Sequence, residues 1–201
     1  MNSESNKPIA GRIAEHSFWP TERQYIVQRD TVGPGDIWDP NLRRYHTKML
    51  GDILTPERIK VPLVGATRRE VVEELVDLLV GAGDLSDRDE VLAAIFSREH
   101  IRSTGIGSGL AIPHAKTSQV SDLSMAVGVC GAPVDFDSID GVGVRLVVVL
   151  IGPEKMTSQH IRVLTRVTSM MSFASVRGKL LEAQSADALY EVVCRYEATA
   201  A

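Results

Sequence analysis

The chain has 201 residues, of which 44% are hydrophobic and 24% are charged, and its formal net charge is −4. This balance is typical of a folded soluble protein with room for one ordinary domain and an additional segment. The basic residues are scattered, which excludes the basic patch of a general nucleic-acid binder. No apolar run reaches the roughly 18 residues that span a bilayer, and the N-terminus lacks the apolar core of a signal peptide. We therefore expect a cytoplasmic protein without membrane insertion, whose partners are proteins or small molecules.

Residues 1–48 differ in composition from the rest of the chain. They contain both tryptophans, Trp19 and Trp38, and four of the nine prolines, with only a strand-like "RQYIVQ" and a "VGPGD" turn as local patterns. This composition predicts an N-terminal extension, which either packs through its aromatic side chains or forms a largely disordered arm. The regular pattern begins at Met49 and predicts a single domain over residues 49–201.

Two amphipathic helices are predicted at the start of this domain. The first begins with Thr67 as N-cap and Glu70 three residues later, which together form a capping box, and Gly81 or Gly83 is suited to end it. Its apolar face is formed by Val71, Val72, Leu75, Leu78 and Leu79. The second helix follows in "SDRDEVLAAIFSREH", with Ser86 as N-cap and with Val91, Leu92, Ile95 and Phe96 facing inward.

The remainder of the domain alternates between strand and helix patterns. Strands are predicted in "GLAIPH", "LSMAVGVC" and "VRLVVVLIG", the first of them ending at Pro113 and the last covered on both faces. Three helical segments follow, with Ser158, Ser175 and Ser185 as candidate N-caps. Helices before and after central strands predict an α/β domain with the sheet inside.

The stretch "REHIRSTGIGSGLAIPHAKT" has glycines at alternate positions. In an extended segment, Gly105, Gly107 and Gly109 would leave one face bare and allow a close approach to the backbone. Two interpretations stay open: the glycines allow close packing of the chain itself, or they form a phosphate-binding loop. The stretch is not a Walker loop because no Gly-Lys pair ends it, and Leu110 breaks the dinucleotide-binding pattern.

His114 is the candidate reactive group of this stretch. A lone histidine after Pro113 is more often a hydrogen-bonded structural residue, but Pro113 also places it at a rigid strand end. Nearby side chains suit an anion: Ser103, Thr104, Ser108, Arg98 and Arg102. A neutral imidazole is a nucleophile near pH 7 and can accept a phosphoryl group, giving a phosphohistidine that passes the group on.

Together with "LSDRDEVLAAIFSRE" and "PEKMTSQHIRVLTRV", this stretch resembles the enzyme IIA domain of the bacterial phosphoenolpyruvate-dependent phosphotransferase system, in its fructose/mannitol/nitrogen-regulatory branch. The resemblance extends from about Met49 to the C-terminus. It implies a mixed β-sheet flanked by helices on both faces, and phosphorylation by a phosphocarrier of the HPr type. It further implies that His114 is phosphorylated, that Arg98 steadies the phosphoryl group and that His160 borders the site. The loop beside the histidine would comprise Ser103, Thr104, Gly105 and Gly107.

Several other residues have their own interpretations. His160 follows Ser158 at a helix start, where we predict either a neutral hydrogen-bond donor with a lowered pKa or a solvated first-turn histidine. Arg162 and Arg166 could line the same rim or lie on an exposed helix face, and the sequence assigns no role to Lys116. No metal is expected, since His100, Glu99 and His114 lack ligand spacing. Cys130 and Cys194 are predicted to be buried and reduced.

These observations favour a phosphohistidine relay protein of the regulatory branch that signals to partner proteins, a phosphotransferase component that requires no cofactor. Within the family, the alternative is a sugar-specific IIA that passes the phosphoryl group to a IIB subunit. A binding module without phosphorylation is a third hypothesis, and a hydrolase is disfavoured because no serine forms a triad. The extension departs from the family, either as an element that covers the site or docks a partner, or because the gene start lies at Met49.

Overall fold

The computed structural model of the protein describes residues 49–200, apart from the side chain of the last of them. The predictions for the N-terminal extension, including Trp19, Trp38 and the strand-like "RQYIVQ", lie outside the described residues. Within 49–200, no helix has both the length and the apolar character needed to cross a membrane.

The described chain forms six α-helices and six strands. The helices are α1 (Leu50–Ile53), α2 (Arg68–Gly81), α3 (Arg88–Ile101), α4 (Thr157–Ser172), α5 (Ala174–Glu182) and α6 (Ala186–Ala200). The strands are β1 (Ile59–Leu63), β2 (Gly105–Gly107), β3 (Leu110–Ala111), β4 (His114–Lys116), β5 (Ser124–Val134) and β6 (Val144–Gly152). Short 3₁₀ turns at Pro56–Arg58 and Glu154–Met156 precede β1 and α4.

The strands form one mixed sheet in the order β1-β5-β6-β3-β2, and β4 pairs with β6 beyond the end of β3. The long central pair, β5 and β6, is antiparallel, with Val127 opposite Val148. Strand β1 runs parallel to β5, whereas β3 and β4 both run parallel to β6. The mixed sheet that the resemblance implied is therefore confirmed.

Alternation along the central strands sends side chains into two separate cores. On β6, Leu146, Val148 and Leu150 pack with α1, α4, α5 and α6, while Val147, Val149 and Ile151 pack with α2 and α3. All six of these side chains are buried because helices cover both faces. The continuous branched run in "VRLVVVLIG" is the sequence signature of this double burial, so the predicted position of the sheet is confirmed.

Helix α2 has the ends that its sequence predicts. The Thr67 hydroxyl accepts a hydrogen bond from the Glu70 N–H at 3.2 Å, and the Glu70 carboxylate accepts one from the Thr67 N–H at 3.0 Å. At the other end, Gly83 has φ of +76°. The N–H groups of Gly83 and Asp84 donate to the carbonyls of Val80 and Leu79 at 2.9 and 3.0 Å. This is a Schellman motif, which requires the left-handed conformation that glycine adopts freely.

The predicted N-caps of three other helices are wrong. Asp87 caps α3 by accepting from the Glu90 N–H at 2.9 Å, while the Ser86 hydroxyl donates to Gln119 Oε1 at 2.6 Å. Ser158 and Ser175 lie one residue inside α4 and α5, which begin after Met156 and Phe173 without a side-chain cap. In α3 an aspartate takes the cap in place of the neighbouring serine, whereas α4 continues directly from the 3₁₀ turn Glu154–Met156 and only Phe173 separates α5 from α4.

Ser185 behaves as predicted. Its carbonyl accepts from the Leu189 N–H at 3.1 Å, and its hydroxyl accepts from the Ala188 N–H at 3.2 Å, which is an N-cap.

The prediction that strand pairing ends at Pro113 is also wrong. Pairing with β6 resumes at His114 and continues to Lys116, which lies opposite Gly152. The proline carbonyl accepts a hydrogen bond from the Leu150 N–H at 3.1 Å, so Pro113 contributes an acceptor to the ladder although it has no donor.

Candidate phosphoryl-acceptor site

Three of the predicted site residues border an open cavity of about 480 Å³ at the edge of the sheet. Among residues 49–200, β4 pairs with β6 alone, so its other edge is open. The cavity walls come from the last turns of α3, from β4 and from the first turns of α4. His114, Arg98 and His160 all line it, although they are distant in the sequence.

A single hydrogen bond sets the orientation of His114. Its Nδ1 lies 2.7 Å from the carbonyl oxygen of Ile112. A carbonyl can only accept, so Nδ1 carries the proton and Nε2 carries the lone pair. Nε2 has no hydrogen-bond partner within the described part of the chain. The turn at Ile112 and Pro113 thus presents one nucleophilic nitrogen to the cavity.

The protonation state of His114 suits this role. Burial lowers the pKa of His114, the Ile112 hydrogen bond opposes this effect, and the guanidinium of Arg98 lowers the pKa further. Since the pKa lies below its ordinary value of 6.5, the imidazole is neutral at pH 7 and its lone pair is available.

His160 is a buried residue, which rules out the solvated first-turn histidine. It is the fourth residue of α4 and is 4% exposed. Neither of its ring nitrogens has a hydrogen-bond partner in residues 49–200, and its ring centroid lies 5.7 Å from that of His114. Burial, with contributions from His114 and Lys116, lowers its pKa to about 4. The predicted neutral state and lowered pKa are therefore present, without a protein acceptor for the N–H.

Gly152 provides the room for this ring. A Cβ at Gly152 would lie 2.9 Å from His160 Nδ1 and 2.7 Å from Leu123 Cδ2. Both distances are shorter than ordinary contacts, so a larger residue would displace the imidazole. Unpartnered buried donors are rare because each costs desolvation free energy, so an orphaned imidazole beside a nucleophile indicates a site for a polar ligand.

Arg98 lines the cavity from α3. Its Nη1 donates to the Arg102 carbonyl at 2.9 Å, which holds the guanidinium at the end of the helix. No carboxylate lies within ion-pair distance of Arg98 in residues 49–200. A half-buried guanidinium without a carboxylate, next to a neutral nucleophile, is suited to bind an oxyanion.

The predicted phosphate-binding loop has other contacts. The Ser103 hydroxyl donates to the Phe136 carbonyl, and the Thr104 hydroxyl donates to Glu99 Oε2 at 2.7 Å. A Cβ at Gly105 would lie 2.6 Å from Ser138 Oγ, and one at Gly107 would lie 3.0 Å from Asp140 Oδ2. The close approach that the glycines permit is thus made by residues 138–140 of the same chain, as in the packing interpretation. None of the four lines the cavity, and their phosphate-binding role stays a prediction.

The remaining candidates lie outside the cavity. Arg166 pairs with Glu197 at 2.8 Å, and Arg162 is exposed on α4. No cluster of three or more His, Cys, Asp and Glu side chains in residues 49–200 is arranged to hold a metal. Burial raises the pKa of Cys130 to about 11, which makes an inert thiol, and Cys194 is only half-buried.

Sequence reasoning left several cavity residues without a role, among them Lys116, Thr157, Ile101 and Ile161. Lys116 follows His114 by two residues, so strand alternation places both side chains on one face. That signal was hidden by the expectation that the strand ends at Pro113. The isoleucines are 82% and 56% exposed beside the cavity, a feature that requires the tertiary structure to recognise.

Comparisons with known proteins identify the family of the chain. A family model described as "Phosphoenolpyruvate-dependent sugar phosphotransferase system, EIIA 2" matches residues 52–195. The chain belongs to this family. The resemblance seen in the sequence is thereby confirmed, and the match covers all three walls of the cavity.

Relatives of this EIIA chain fall into regulatory and sugar-specific groups. A "Nitrogen regulatory protein" of Pseudomonas aeruginosa is 38% identical over 144 residues, 72% of this chain and 94% of that protein. The "PTS system fructose-specific EIIABC component" of Bacillus subtilis is 36% identical over 146 residues, 73% of this chain. That match covers 23% of the Bacillus protein, so the chain spans about a quarter of its length.

The crystal structure of "Nitrogen Regulatory Protein IIA-Ntr from Neisseria meningitidis" has the same fold. It superposes with a TM-score of 0.67 at 32% identity and covers 72% of this chain and 98% of that one.

Proposed function

We propose that His114 accepts a phosphoryl group from an HPr-type phosphocarrier and that regulatory partner proteins respond to its phosphorylation state. The observation that carries this proposal is the hydrogen bond from His114 Nδ1 to the Ile112 carbonyl, which leaves Nε2 as the free nucleophile in the cavity. Donor and targets of this kind act in the cytoplasm, where we expect the chain to work.

The transfer step is a displacement at phosphorus. The Nε2 lone pair of His114 forms the new N–P bond while the bond from phosphorus to the donor nitrogen breaks, and the donor keeps that electron pair. Because Nδ1 already carries a proton and donates to Ile112, no proton has to leave His114 before attack. The phosphorylated ring stays anchored by the same hydrogen bond.

The cavity then has to stabilise a dianionic phosphoryl group. Arg98 provides a guanidinium that has no carboxylate partner among the described residues, and charge-assisted hydrogen bonds to phosphate oxygens are strong. His160 provides a neutral N–H that lacks an acceptor. An oxyanion placed between the two would satisfy both groups without the approach of a solvent cation.

Phosphorylation also explains how a partner could read the state of the protein. It adds about −1.5 to −2 charge units at one open cavity, whose rim bears the exposed side chains of Ile101 and Ile161. A partner that contacts these isoleucines would cover the new charge, so its binding would depend on whether the chain is phosphorylated. The regulatory reading is favoured by the 38% identity to a nitrogen regulatory protein over nearly its whole length.

The test is intact mass at mildly alkaline pH after incubation with phosphoenolpyruvate, enzyme I and an HPr-type carrier. We expect an acid-labile gain of one phosphoryl group in the wild type and none in His114→Ala. His100→Ala is the matched control, since His100 is an exposed α3 histidine outside the cavity, and it should be phosphorylated like the wild type. A wild type that gains no mass with any carrier would contradict the proposal, as would phosphorylation of His114→Ala.

A sugar-specific role is the second candidate, because a fructose-specific EIIABC component is 36% identical to this chain. In that case the phosphorylated chain would pass its group to the cysteine of a IIB protein. Incubating the phosphorylated chain with fructose- or mannitol-type IIB and following the mass of both proteins distinguishes the two roles. Rapid transfer favours uptake, whereas retention of the phosphoryl group favours regulation.

A further inference from the structure

Lys116 shares the cavity with His114 for a geometric reason. Both lie on β4, separated by one residue, and alternate residues of a strand project to the same face. Ala115 between them packs into the core formed with α2 and α3, and it borders the cavity as well. Two strand residues span about 7 Å, which is within reach of a lysine side chain.

A hydrogen bond holds the Lys116 ammonium at the mouth of the cavity. Its Nζ donates to Thr157 Oγ1 at 3.2 Å, and that hydroxyl in turn donates to the Glu154 carbonyl at 2.8 Å. The Glu154 carboxylate forms no ion pair with Lys116 or Arg98, although Glu154 lines the cavity. Among residues 49–200, the ammonium therefore has one neutral partner and no carboxylate.

This ammonium is exposed and lies beside the N-terminus of α4. Thr157 is the first residue of α4, where the helix dipole is positive. Helix α4 has no acidic residue in its first turn and no side-chain N-cap. Lys116, Arg98 and the N-terminus of α4 thus border the same cavity as the buried, unpartnered His160, and the exposed Glu154 is the acidic residue that lines it. An anion in the cavity would interact favourably with all three positive groups.

We infer that Lys116 is a second phosphoryl-binding cation, which contacts the phosphoryl oxygens on His114 from the wall opposite Arg98, with Thr157 as its positioning residue. The inference rests on the proposed function and adds a specific contact to it. Arg98 approaches from α3 and Lys116 from β4, so the two cations neutralise different oxygens of one dianion. Thr157 keeps the ammonium at the cavity before the donor arrives, which lowers the ordering cost of the contact.

The test measures phosphorylation of Lys116→Gln by a limiting phosphocarrier, as an initial rate and as the final equilibrium between carrier and chain. We expect both to fall about 3- to 10-fold, the range for loss of one partly exposed charged contact. Lys116→Arg should recover most of the loss, and Thr157→Val should lose less than Lys116→Gln. Lys155→Gln removes an equal charge from an exposed residue outside the cavity and should match the wild type.

A second arm needs no carrier. Inorganic phosphate is titrated into the unphosphorylated chain while the imidazole resonances of His114 and His160 are followed by NMR. We expect phosphate to bind the wild type, and Lys116→Gln to bind it at least 3-fold more weakly, again with Lys155→Gln unchanged.

The two arms separate failure of the inference from failure of the proposed function. If the wild type is phosphorylated and Lys116→Gln matches it in rate and equilibrium, the Lys116 contact is overturned while the relay stands. An equal loss in Lys155→Gln overturns it as well, because long-range attraction would then explain the effect. If no carrier phosphorylates the wild type but Lys116→Gln weakens phosphate binding, the relay fails and the anion contact stands. Failure of the wild type in both arms overturns both.

Discussion

Two buried polar groups, Glu99 and His160, lie within electrostatic range of His114, and they differ in their hydrogen bonding. Glu99 is 8% exposed, and both of its oxygens are bound: Oε1 by the Thr104 N–H at 3.0 Å, Oε2 by the Thr104 hydroxyl at 2.7 Å. The Arg68 guanidinium adds an ion pair at 3.6 Å. His160 is 4% exposed and has no partner at either nitrogen.

The difference distinguishes a group that stabilises the fold from one to which we assign a proposed function. A buried carboxylate that is fully hydrogen-bonded fixes the chain around it, here the end of α3 and the start of the glycine-rich stretch. A buried imidazole without partners stabilises nothing and costs desolvation free energy. The phosphoryl group that we propose for the cavity would satisfy this imidazole during function. Substitutions at the two groups should therefore affect different measurements.

The largest loss of stability is expected for Glu99→Ala. The change leaves the Thr104 N–H and hydroxyl without an acceptor and removes one of the two carboxylates that pair with Arg68, so the free energy of unfolding should fall by about 3 kcal/mol. Equilibrium urea unfolding measures this. Glu73→Ala is the control, because it breaks the exposed pair with Arg69 and should cost less than about 0.5 kcal/mol. Equal losses in the two variants would show that Glu99 does not fix the end of α3 and the start of the glycine-rich stretch.

A loss of stability at low pH is expected from the protonation of His160. Its pKa is about 4 in the folded chain against an ordinary value of 6.5, so the unfolded chain binds the proton more tightly. Stability is then fully present above pH 6.5 and falls as the pH decreases towards 4, by about 3 kcal/mol in total. His160→Leu should abolish this component while changing stability at pH 7.5 by less than about 1 kcal/mol.

Urea unfolding of wild type and His160→Leu between pH 7.5 and 4 tests the pH prediction, since groups that do not interact with His160 cancel in the difference. Identical slopes in the two proteins would show that His160 is not buried as a neutral group. At pH 7.5, His160→Leu should still be impaired in phosphorylation, by about 10-fold or more.

An intermediate loss is expected for Gly152→Ala. The added methyl group would overlap His160 Nδ1 and Leu123 Cδ2, so unfolding should become easier by about 2 kcal/mol and phosphorylation should slow as the imidazole moves. In a His160→Ala background, part of this stability loss should disappear, because one of the two overlaps is gone. A loss that is the same in both backgrounds would assign the whole effect to Leu123.

The smallest stability loss is expected for Thr104→Val, which removes one hydroxyl from Glu99 and keeps the side-chain shape. The cost should be about 1 kcal/mol, with an unchanged rate of phosphorylation, because Thr104 does not line the cavity. A slower rate without loss of stability would instead place Thr104 at the phosphoryl group, as the family resemblance predicts. Phosphorylation assays and urea unfolding of the same preparation distinguish the two.

The elements that could be predicted are those with a strong local pattern. Helix α2 combines an apolar face, a capping box and a glycine at the Schellman position, and all three are present. Strand β6 is an uninterrupted branched run and has the predicted limits. Helix α1 and strand β1 received no prediction, because four residues and a proline-containing five-residue segment are too short for a periodicity.

The predicted ends of elements were less accurate where the neighbouring segment of the chain outweighs local preference. Ser158 and Ser175 resemble N-caps, yet both lie inside their helices, because α4 continues directly from the 3₁₀ turn Glu154–Met156 and only Phe173 separates α5 from α4. Pro113 resembles a strand end, but its carbonyl still accepts from β6 and pairing continues beyond it.

The sequence by itself determined the α/β fold class and the central strand, and its family resemblance singled out His114, Arg98 and His160 as candidate site residues. These follow from local periodicity and from a distinctive run of residues. Only the tertiary structure decided that Arg98, His114 and His160 share one cavity, that His160 is unpartnered, and that Lys116 rather than the glycine-rich loop reaches that cavity. Burial and hydrogen-bond satisfaction depend on residues that are distant in the chain and meet only when the sheet edge, α3 and α4 pack together.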